Sequence, residues 1–408
     1  MKKLTIETLK DLSNQFGNAF YLLDSDIFEQ NYKDLTEAFK EEYPYFNIAY
    51  SYKTNYIPKL VKTVNKLGGY AEVVSEMEME IALRSGIQPK RIIWNGPVKN
   101  QNKVNELLLA GGTVNLDAIE EIENIKILAK QNPHCKINIG IRCNYDVDDS
   151  VLSRFGFDIN GKDFSAVLDI IASLSNVHLV SLQAHFAKRH PQFWRARTYG
   201  MLEIYDWVVK KSGLYPEWLD LGGGIFGKIP DDLRKQLGIE SITYSDYAIN
   251  AARIIAEHFR GKEKKPQLFI EPGTAIAGNC MRFVCRVETI KVIRGKSFVS
   301  TTGSQKNISM NGINPPMEII AGGEIQKKIV DADIVGYTCI EGDILRKNYT
   351  GYLAVGDFII ISNCGSYSVV MKPPFILPNC PVIDISGNKT EIIKRAETFA
   401  DLFSTYSI

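Results

Sequence analysis

The sequence predicts an α/β protein in which a TIM (β/α)8 barrel is followed by an all-β domain. Short β-rich runs alternate with longer amphipathic stretches from about residue 46 to residue 273. Eight such β/α units match the strand number of a TIM barrel. A doubly wound open sheet is the alternative, but no GxGxxG motif follows the first strand, as a dinucleotide-binding start requires. After about residue 280, strand patterns follow one another without long helices between them.

The barrel prediction depends on β-rich runs that are separated by helical periodicity. The eight predicted strands cover residues 46–52, 71–75, 92–95, 114–117, 137–142, 179–185, 218–221 and 268–271. Helical patterns lie between them at residues 57–67, 77–85, 103–110, 118–131, 164–174, 193–211 and 244–259. Each helical pattern ends near Gly, Pro or polar residues, which commonly close a helix. We therefore predict a barrel domain over residues 26–280.

The remaining residues predict a second domain built from strands. Its predicted strands cover residues 283–293, 297–301, 328–337, 357–362 and 382–385. A further strand pattern at residues 18–23 precedes the barrel. We expect this early strand to join the C-terminal sheet, so the second domain is predicted to comprise residues 281–408 together with residues 1–25.

Composition and charge favour a small-molecule enzyme. Lys plus Arg is 48 and Asp plus Glu is 47, so a net charge of +1 gives no reason to expect nucleic acid or an anionic membrane as a partner. No apolar run resembles a leader or a membrane span, and the cytoplasm is the expected location. Seven cysteines without paired CxxC spacing indicate reduced thiols and predict no metal site.

Chemically useful residues stand at the carboxyl ends of the predicted barrel strands, where TIM barrels place their active sites. Lys53 follows the first strand, and a lysine desolvated at the mouth of a barrel has a lowered pKa and can form a Schiff base. His185 ends the sixth strand, and Gly222 to Gly224 end the seventh, where glycines let backbone N–H groups approach an anion. Glu271 ends the eighth strand and, if buried, needs a cation or a protonated heterocycle as partner.

A set of ordered motifs resembles the fold-type III pyridoxal-phosphate decarboxylases, the diaminopimelate and ornithine decarboxylase family. The motifs are Ala49-Tyr50-Ser51-Tyr52-Lys53-Thr54-Asn55, Glu72-Val73-Val74-Ser75 with Glu78, Ser153-Arg154-Phe155-Gly156, His185, Leu219-Asp220-Leu221-Gly222-Gly223-Gly224, Glu271-Pro272-Gly273, Cys339 with Gly342-Asp343, and Gly365-Ser366-Tyr367. The resemblance implies the alanine racemase and ornithine decarboxylase type of fold. It also implies pyridoxal 5'-phosphate as cofactor and a homodimer whose active sites are shared between subunits.

The resemblance also implies roles for individual residues. Lys53 would hold the cofactor as a Schiff base, Glu271 would keep the pyridine nitrogen protonated, and Cys339 of the partner subunit would return a proton after decarboxylation. His185 would stack on the cofactor ring. The implied cofactor contacts are Lys53, Arg142, His185, Gly222, Gly223, Gly224, Glu271, Gly273, Thr274 and Tyr367. The implied positions of substrate contacts are Arg154, Asn314, Ile340, Glu341 and Asp343.

Some positions depart from the family pattern. Ile340, in the segment Cys339-Ile340-Glu341-Gly342-Asp343, replaces a glutamate of the diaminopimelate decarboxylases. Asn314 lies in the segment where those enzymes place an arginine for the distal carboxylate. A neutral Asn cannot form a bidentate charged pair, so diaminopimelate is not the expected substrate.

The phosphate site departs from the family as well. Thr274 replaces the arginine of the family's Glu-Pro-Gly-Arg motif. We hypothesise that Lys188 restores this charge as a cofactor ligand; binding of a substrate carboxylate or simple solvation are the alternatives.

The leading prediction is therefore decarboxylation of an amino acid other than diaminopimelate. A racemase or epimerase of the same fold is the alternative within enzymes, although the Cys339 loop favours the decarboxylase branch. A cofactor-free regulator is the alternative outside enzymes, and the presence of Lys53, Glu271 and Cys339 argues against it.

Overall fold

A computed structural model describes residues 4–310, 312–372, 374–387 and 390–407. The chain divides into two compact units. The barrel unit comprises Asn31–Gly227 and Ile242–Ala275, and the β unit comprises Met1–Gln30, Lys228–Ser241 and Ile276–Ile408. The predicted boundaries assign residues 26–30, 228–241 and 276–280 to the barrel, whereas the structure groups these segments with the β unit.

The barrel unit contains a closed parallel barrel, as the sequence predicts. Its eight strands are Phe46–Ser51, Tyr70–Val73, Ile92–Trp94, Thr113–Leu116, Ile137–Asn144, Val177–Gln183, Trp218–Asp220 and Gln267–Ile270. The barrel closes because the eighth strand pairs with the first while the fourth pairs with the fifth. A two-residue strand, Phe157–Asp158, pairs in parallel with the end of the fifth strand at Cys143 and Asn144. The closed architecture is confirmed, and each predicted strand overlaps an observed strand with ends that differ by at most two residues.

Helices follow the barrel strands at the positions that their apolar periodicity predicts. They span Pro58–Lys66, Glu76–Arg84, Gln101–Leu109, Glu121–Gln131, Lys162–Ser173, Pro191–Ser212, Tyr244–Ala248 and Ile254–His258. The last two are joined by a π-helical segment, Ile249–Arg253, where a single continuous helix was predicted. Further helices that the periodicity did not single out are Ile6–Phe16, Ser25–Glu42, Asp231–Gln236, Thr274–Ala277 and Phe399–Phe403.

The barrel interior changes from apolar to polar along the strands. Ala49, Ile93 and Phe269 form a buried apolar cluster, against which Tyr70 and Trp218 pack. Polar side chains occupy the positions nearer the carboxyl ends of the strands, and several of them are fully buried. Because a buried polar group needs a hydrogen-bond partner, this end of the barrel is where a polar network must form.

The β unit is built on a nine-stranded sheet. One path through it contains, in spatial order, Ile344–Leu353, Lys327–Val335, Lys296–Thr301, Met281–Ile293, Ala19–Leu23, Val382–Asp384 and Glu391–Lys394. Phe358–Ile361 pairs with both Met281–Ile293 and Met317–Ile320. Ala19–Leu23 pairs antiparallel with Met281–Ile293 and parallel with Val382–Asp384. The prediction that the early strand joins this sheet is confirmed.

The sequence analysis did not identify the strands Met317–Ile320, Ile344–Leu353 and Glu391–Lys394. Much of Ile344–Leu353 is charged, polar or glycine, and Asn348 within it has a positive φ of 54°. Such a strand lacks the apolar alternation on which the prediction depends. The helix Ile6–Phe16 covers part of the sheet through Leu9 and Leu12. In the described part of the chain, none of the helices has the length and apolar character to cross a bilayer.

Candidate active site

Lys53 lies in a short 3-10 turn directly after the first barrel strand. Its Nζ lies 2.8 Å from both carboxylate oxygens of Glu72, which belongs to the second strand. The Lys53 side chain is 41% exposed, whereas the Glu72 side chain is fully buried. The expectation that Lys53 is desolvated is therefore wrong for this structure; the ammonium is instead fixed by an ion pair at the barrel mouth.

Glu72 is held as a carboxylate in spite of its burial. Burial alone would raise the pKa of Glu72, but the charge of Lys53 and hydrogen bonds from Lys53, Ser51 and Asn95 outweigh it and lower the pKa. Ser51 Oγ donates to Glu72 at 2.6 Å and Asn95 Nδ2 at 3.1 Å. Glu72 therefore anchors the Lys53 ammonium from the barrel interior.

An amide network connects Glu72 to Glu271 at the end of the eighth strand. Asn115 Nδ2 donates to Asn95 Oδ1 at 2.7 Å, and Asn95 Nδ2 donates to Glu271 Oε1 at 2.5 Å. Gln183 Nε2 donates to the other Glu271 oxygen at 3.1 Å. Both oxygens of Glu271 are thus held by side chains from other barrel strands, which fixes the carboxyl group in the interior.

Burial and the nearby charge of Glu72 raise the pKa of Glu271 to about 7, although Lys53 and hydrogen bonds oppose the shift. Asp220, at the end of the seventh strand, is also buried, and burial followed by the charge of Glu271 raises its pKa well above the ordinary value. A buried carboxyl group of this kind gains stability when a cation approaches it. The site can therefore bind a protonated heterocycle or another positive group.

His185 follows the sixth strand and is neutral. Burial lowers its pKa well below the ordinary range, and the positive charges of Arg197, Lys53, Arg142 and Arg189 lower it further. Its Nδ1 accepts a hydrogen bond from the Gly223 N–H at 2.9 Å. The proton of the neutral ring is therefore on Nε2, which presents an uncharged aromatic face with a fixed orientation.

The glycine loop, Gly222 to Gly224, needs its glycines for conformation and for space. Gly222 and Gly224 have positive φ angles of 68° and 87°. A Cβ on Gly222 would collide with the Ala184 carbonyl oxygen, and one on Gly223 would lie 2.5 Å from the Glu271 carbonyl oxygen. Not all three N–H groups are free for an anion, because Gly222 N–H donates to Asp220 and Gly223 N–H donates to His185. Among the described residues, no acceptor pairs with the Gly224 N–H.

Arg142, on the fifth strand, is nearly buried beside an aromatic ring. Its guanidinium lies 4.6 Å from the centre of the Phe155 ring, and the Arg154 guanidinium lies 4.1 Å from the same ring. Arg142 Nη1 is 3.8 Å from Asp117 Oδ1, and Nη2 donates to the His185 carbonyl oxygen at 3.4 Å. The structure thus brings Arg142 next to the His185 loop and places Arg154 on the neighbouring Phe155.

Lys188 is exposed on the loop after His185. A Cβ built on Gly224 would lie 3.9 Å from the Lys188 carbonyl oxygen and 3.8 Å from Arg189 Cγ, so this loop borders the glycine loop. In the described part of the chain, the Lys188 ammonium has no ion-pair partner. Its predicted role at a phosphate is compatible with this position and remains a prediction.

Gly273 and Thr274 follow Glu271 in the eighth β/α loop. A Cβ on Gly273 would collide with Thr54 Oγ1, so glycine lets this loop pack against the Lys53 turn. Thr274 begins the short helix Thr274–Ala277. No cation is supplied by residue 274, as the sequence already indicates.

In the β unit, Asp343 organises the loop that carries Cys339. Its carboxylate accepts hydrogen bonds from Ser304 Oγ at 2.9 Å, Gln305 N at 2.7 Å and Thr338 Oγ1 at 2.7 Å. A Cβ on Gly336 would collide with this carboxylate. Both oxygens are engaged within the unit, which favours a loop-organising role for Asp343 over the implied substrate contact.

The other predicted β-unit residues are more accessible. Cys339 and Glu341 are exposed, and the Ile340 side chain is 45% exposed. Tyr367 is partly buried and has a positive φ of 61°. Asn314 Oδ1 accepts a hydrogen bond from the Lys347 backbone N–H at 3.0 Å. Asn314 therefore uses its side-chain oxygen to hold the neighbouring strand.

The sequence analysis missed the network amides Asn95, Asn115 and Gln183 and the buried Arg197. Each amide lies within a predicted barrel strand, and a polar side chain in a mostly apolar strand is the signal that could have identified it. Arg197 occupies the apolar stripe of its helix, which includes Trp194, Met201 and Tyr205. A charged residue at a core position of an amphipathic helix is the corresponding signal.

The family of the chain is shown by comparison with known proteins. The family model described as pyridoxal-dependent decarboxylase, pyridoxal binding domain, matches residues 29–278, which is more than half of the 408 residues. The chain belongs to this family. It is a pyridoxal-phosphate-dependent amino-acid decarboxylase, a lyase, and pyridoxal 5'-phosphate is its cofactor.

Similarity to individual proteins extends over nearly the whole chain. The diaminopimelate decarboxylase of Aquifex aeolicus is 24% identical over 412 residues, with 96% of this chain and 92% of the relative covered. The crystal structure of diaminopimelate decarboxylase from M. jannaschii in co-complex with L-lysine has a TM-score of 0.86 at 23% identity, with 98% of this chain and 94% of that chain covered. The crystal structure of diaminopimelate decarboxylase from Helicobacter pylori complexed with L-lysine has a TM-score of 0.82 at 23% identity, covering 97% of this chain and 98% of that chain. These structures confirm the fold.

The side chains of the barrel mouth fit pyridoxal 5'-phosphate. A primary amine, a buried carboxyl group and a neutral imidazole lie at the ends of the first, eighth and sixth strands, in Lys53, Glu271 and His185. The Gly224 N–H is available for an anion in a loop that a Cβ would crowd. The amine, the carboxyl group, the imidazole and the Gly224 N–H suit, in that order, the aldehyde, the pyridinium nitrogen, the ring face and the phosphate of the cofactor.

Proposed function

We propose that this enzyme decarboxylates an amino acid other than diaminopimelate, in an active site completed by Cys339 of the partner subunit. The substrate part of this proposal depends on Asn314, a neutral amide whose oxygen is already hydrogen-bonded. This residue stands near the position of the arginine that binds the distal carboxylate in diaminopimelate decarboxylases. Its Oδ1 accepts a hydrogen bond from the Lys347 backbone N–H. A neutral amide in this state offers no charged pair to a distal carboxylate.

The cofactor supplies an electron sink for the pair left behind when the bond to carbon dioxide breaks. Lys53 would hold the cofactor covalently through its ε-amine, which in this structure lies 2.8 Å from the Glu72 carboxylate. Glu271 would pair with the pyridine nitrogen and favour its protonated form, since a buried carboxylate gains stability from a cation. His185, kept neutral by its surroundings, would pack on the ring without adding a competing positive charge.

The carbon that loses carbon dioxide must then receive a proton. An exposed thiol can act as a general acid, and the Cys339 thiol is exposed on a loop that Asp343 holds in place. We infer that this thiol serves the active site of the partner subunit in a homodimer. The dimer is part of the proposal, supported by the resemblance described above.

Ile340 supports the same substrate assignment. Its side chain replaces the glutamate that follows the cysteine in diaminopimelate decarboxylases and is 45% exposed. An aliphatic side chain cannot pair with a distal ammonium or hydrogen-bond to it. A substrate whose distal end is neutral, extended or already substituted fits Asn314 and Ile340 better than one that ends in a zwitterion.

The experiment is to measure carbon dioxide release from a panel of L- and D-amino acids by the pyridoxal-phosphate-loaded enzyme. We expect diaminopimelate to be a poor substrate, and the double variant Asn314→Arg/Ile340→Glu to raise kcat/KM for diaminopimelate by about tenfold, since a hydrogen bond to a charged group contributes on the order of 1.5–3 kcal/mol and ~1.4 kcal/mol is a factor of ten. Efficient turnover of diaminopimelate by the wild type would overturn the substrate assignment. In that case Arg346, which donates to the Pro315 carbonyl oxygen at 3.2 Å, is the cation to test. Racemisation without carbon dioxide release would overturn the decarboxylation itself.

A further inference from the structure

Arg197 is a fully buried cation on the helix Pro191–Ser212, which follows the sixth barrel strand. It occupies a core position of this helix, where an aliphatic residue is the ordinary choice. A buried charge is costly unless it is paired and hydrogen-bonded. Its partners therefore indicate what the residue does.

The hydrogen-bond partners of Arg197 are backbone carbonyls of the two loops that border the proposed phosphate position. Nη1 donates to the Leu221 oxygen at 2.8 Å and to the Gly223 oxygen at 2.9 Å. Nη2 donates to the Phe186 oxygen at 3.4 Å. One guanidinium thus ties the glycine loop to the loop that follows His185.

The positive charge of Arg197 is not neutralised by a direct ion pair. Within the described residues, no carboxylate lies at ion-pair distance from its guanidinium, and its Nε has no hydrogen-bond partner. The guanidinium lies 4.5 Å from the Trp194 ring centre and 5.5 Å from that of Phe186. Burial lowers the pKa of Arg197, but only to about 10, so the group is charged at neutral pH.

The peptide between Gly223 and Gly224 connects the Arg197 charge to a backbone donor on its other side. The Gly223 carbonyl faces the Arg197 guanidinium, and in a trans peptide the N–H of the next residue points the opposite way. That N–H belongs to Gly224 and is the one in the glycine loop that has no acceptor in the described part of the chain. The carbonyl of Gly224 is held separately by Trp194 Nε1 at 3.3 Å.

We propose that Arg197 is a positioning residue for the phosphate of the cofactor. It orients and polarises the Gly223–Gly224 peptide so that the Gly224 N–H is presented to the phosphate, and it places a positive charge behind that donor. A cation acting through a peptide group in a water-poor site stabilises an anion much more than it would in bulk water. Arg197 thereby offsets part of the charge that is lost where Thr274 replaces the family's arginine. This inference rests on the proposed placement of the phosphate at the glycine loop.

The test compares pyridoxal 5'-phosphate with pyridoxal, which has the aldehyde and the ring but lacks the phosphate. The dissociation constants of both compounds are measured by spectral titration of the apoprotein for wild type, Arg197→Gln, Arg197→Lys and the control Arg195→Gln. We expect Arg197→Gln to weaken pyridoxal 5'-phosphate by tenfold or more while pyridoxal changes by less than about threefold. Arg197→Lys, which keeps the charge but loses the fork of donors, should show a smaller loss with the same selectivity. Arg195→Gln makes the same substitution at an exposed arginine of the same helix and should preserve the preference for the phosphate.

Equal weakening of both compounds in Arg197→Gln would overturn the inference, because a merely structural role affects ring and phosphate alike. If Arg197→Gln does not fold, as judged by circular dichroism, Arg197→Lys decides. The quantity compared is then the ratio of its dissociation constants for pyridoxal and pyridoxal 5'-phosphate to that of wild type. If the wild type itself does not prefer pyridoxal 5'-phosphate over pyridoxal, the proposed placement of the phosphate fails together with the inference. A strong wild-type preference that Arg197→Gln leaves unchanged overturns the inference alone.

Discussion

At the scale of single residues, the barrel mouth holds two glutamates in different electrostatic states. Glu72 is kept ionised by the Lys53 ammonium and by hydrogen bonds, whereas burial beside Glu72 raises the pKa of Glu271 to about 7. Asn95 donates to both of them. Such a separation of pKa values within one site is how an enzyme gives two carboxyl groups different tasks. Here Glu72 holds an amine, and Glu271 is ready to pair with an arriving cation.

The ion pair between Lys53 and Glu72 makes a prediction about stability as well as catalysis. Lys53→Ala should abolish covalent attachment of the cofactor and should lower the free energy of unfolding of the apoprotein by about 1–2 kcal/mol. Removing one partner of a buried pair costs about 3–5 kcal/mol, and the partial exposure of Lys53 reduces this through solvent screening. Urea denaturation and peptide mapping after borohydride reduction measure the two effects.

The matched control adds Glu72→Gln to Lys53→Ala, which removes the carboxylate that was left without its cation. The double variant should regain most of the lost stability and still fail to bind the cofactor covalently. A double variant that is less stable than Lys53→Ala would contradict the electrostatic explanation. A pyridoxyl group found on another lysine in wild type would remove the role of Lys53.

At the scale of elements, the loops after the sixth and seventh strands act as one structure. Arg197 and Trp194 reach the glycine loop from the helix that follows the sixth strand. Tyr247 Oη donates to the Arg189 carbonyl oxygen at 2.7 Å and accepts from Phe226 N–H at 3.1 Å. Because the two loops share these partners, a charge on one of them can serve a ligand held by the other.

The prediction for these loops concerns Lys188 and Thr274. Lys188→Ala should weaken binding of pyridoxal 5'-phosphate by tenfold or more, because an anion that loses its cation in a partly desolvated site typically costs on the order of 2–5 kcal/mol. Adding Thr274→Arg should recover much of this loss by returning a cation to the same phosphate. Spectral titration of the single and double variants measures both effects.

Lys210→Ala, which changes a lysine near the carboxyl end of the helix Pro191–Ser212, is the control for a general effect of charge. It should bind the cofactor as wild type does. Normal cofactor binding by Lys188→Ala together with a raised KM would assign Lys188 to substrate recognition instead.

At the scale of the whole molecule, the proposed catalytic groups belong to two separate units of the chain. Lys53, His185 and Glu271 belong to the barrel unit, and Cys339 belongs to the β unit. Within the β unit, the Asp343 carboxylate links Ser304 and Gln305 to Thr338, directly before Cys339. A loop held in this way can present a thiol to a partner at a defined position.

Sharing of active sites predicts complementation between two inactive variants. Lys53→Arg keeps a cation beside Glu72 but cannot hold the cofactor covalently, and Cys339→Ala lacks the proposed proton donor. Random pairing of equal amounts should regenerate about a quarter of the wild-type sites, as expected for a symmetric two-fold dimer. The measurement is carbon dioxide release after subunit exchange has been verified by mass spectrometry.

Each variant alone should stay inactive, and Cys135→Ala, which changes a partly buried cysteine of the barrel unit, should stay active. Absence of recovered activity after complete exchange would count against shared sites. An active Cys339→Ala homodimer would instead remove the proton-donor role.

The sequence by itself determined the barrel and the positions of its strand ends. A parallel barrel strand is buried on both faces, so it is a continuous apolar run that can be recognised without a partner. For the same reason Lys53, His185 and Glu271 could be predicted to gather at one end of the barrel, since each follows such a run. The strand Ile344–Leu353 escaped prediction because much of it faces solvent and its polar composition resembles a loop.

Only the tertiary structure decided which of these residues touch. The ion pair of Lys53 with Glu72, the amide network of Asn95 and Gln183, and the carbonyl contacts of Arg197 join residues that are 11 to 176 positions apart. Charge and burial at a site are set by such neighbours, so the sequence prediction of a desolvated Lys53 was wrong while its location was right. Distances across a barrel depend on strand register and loop closure, and no local pattern in the chain encodes either of them.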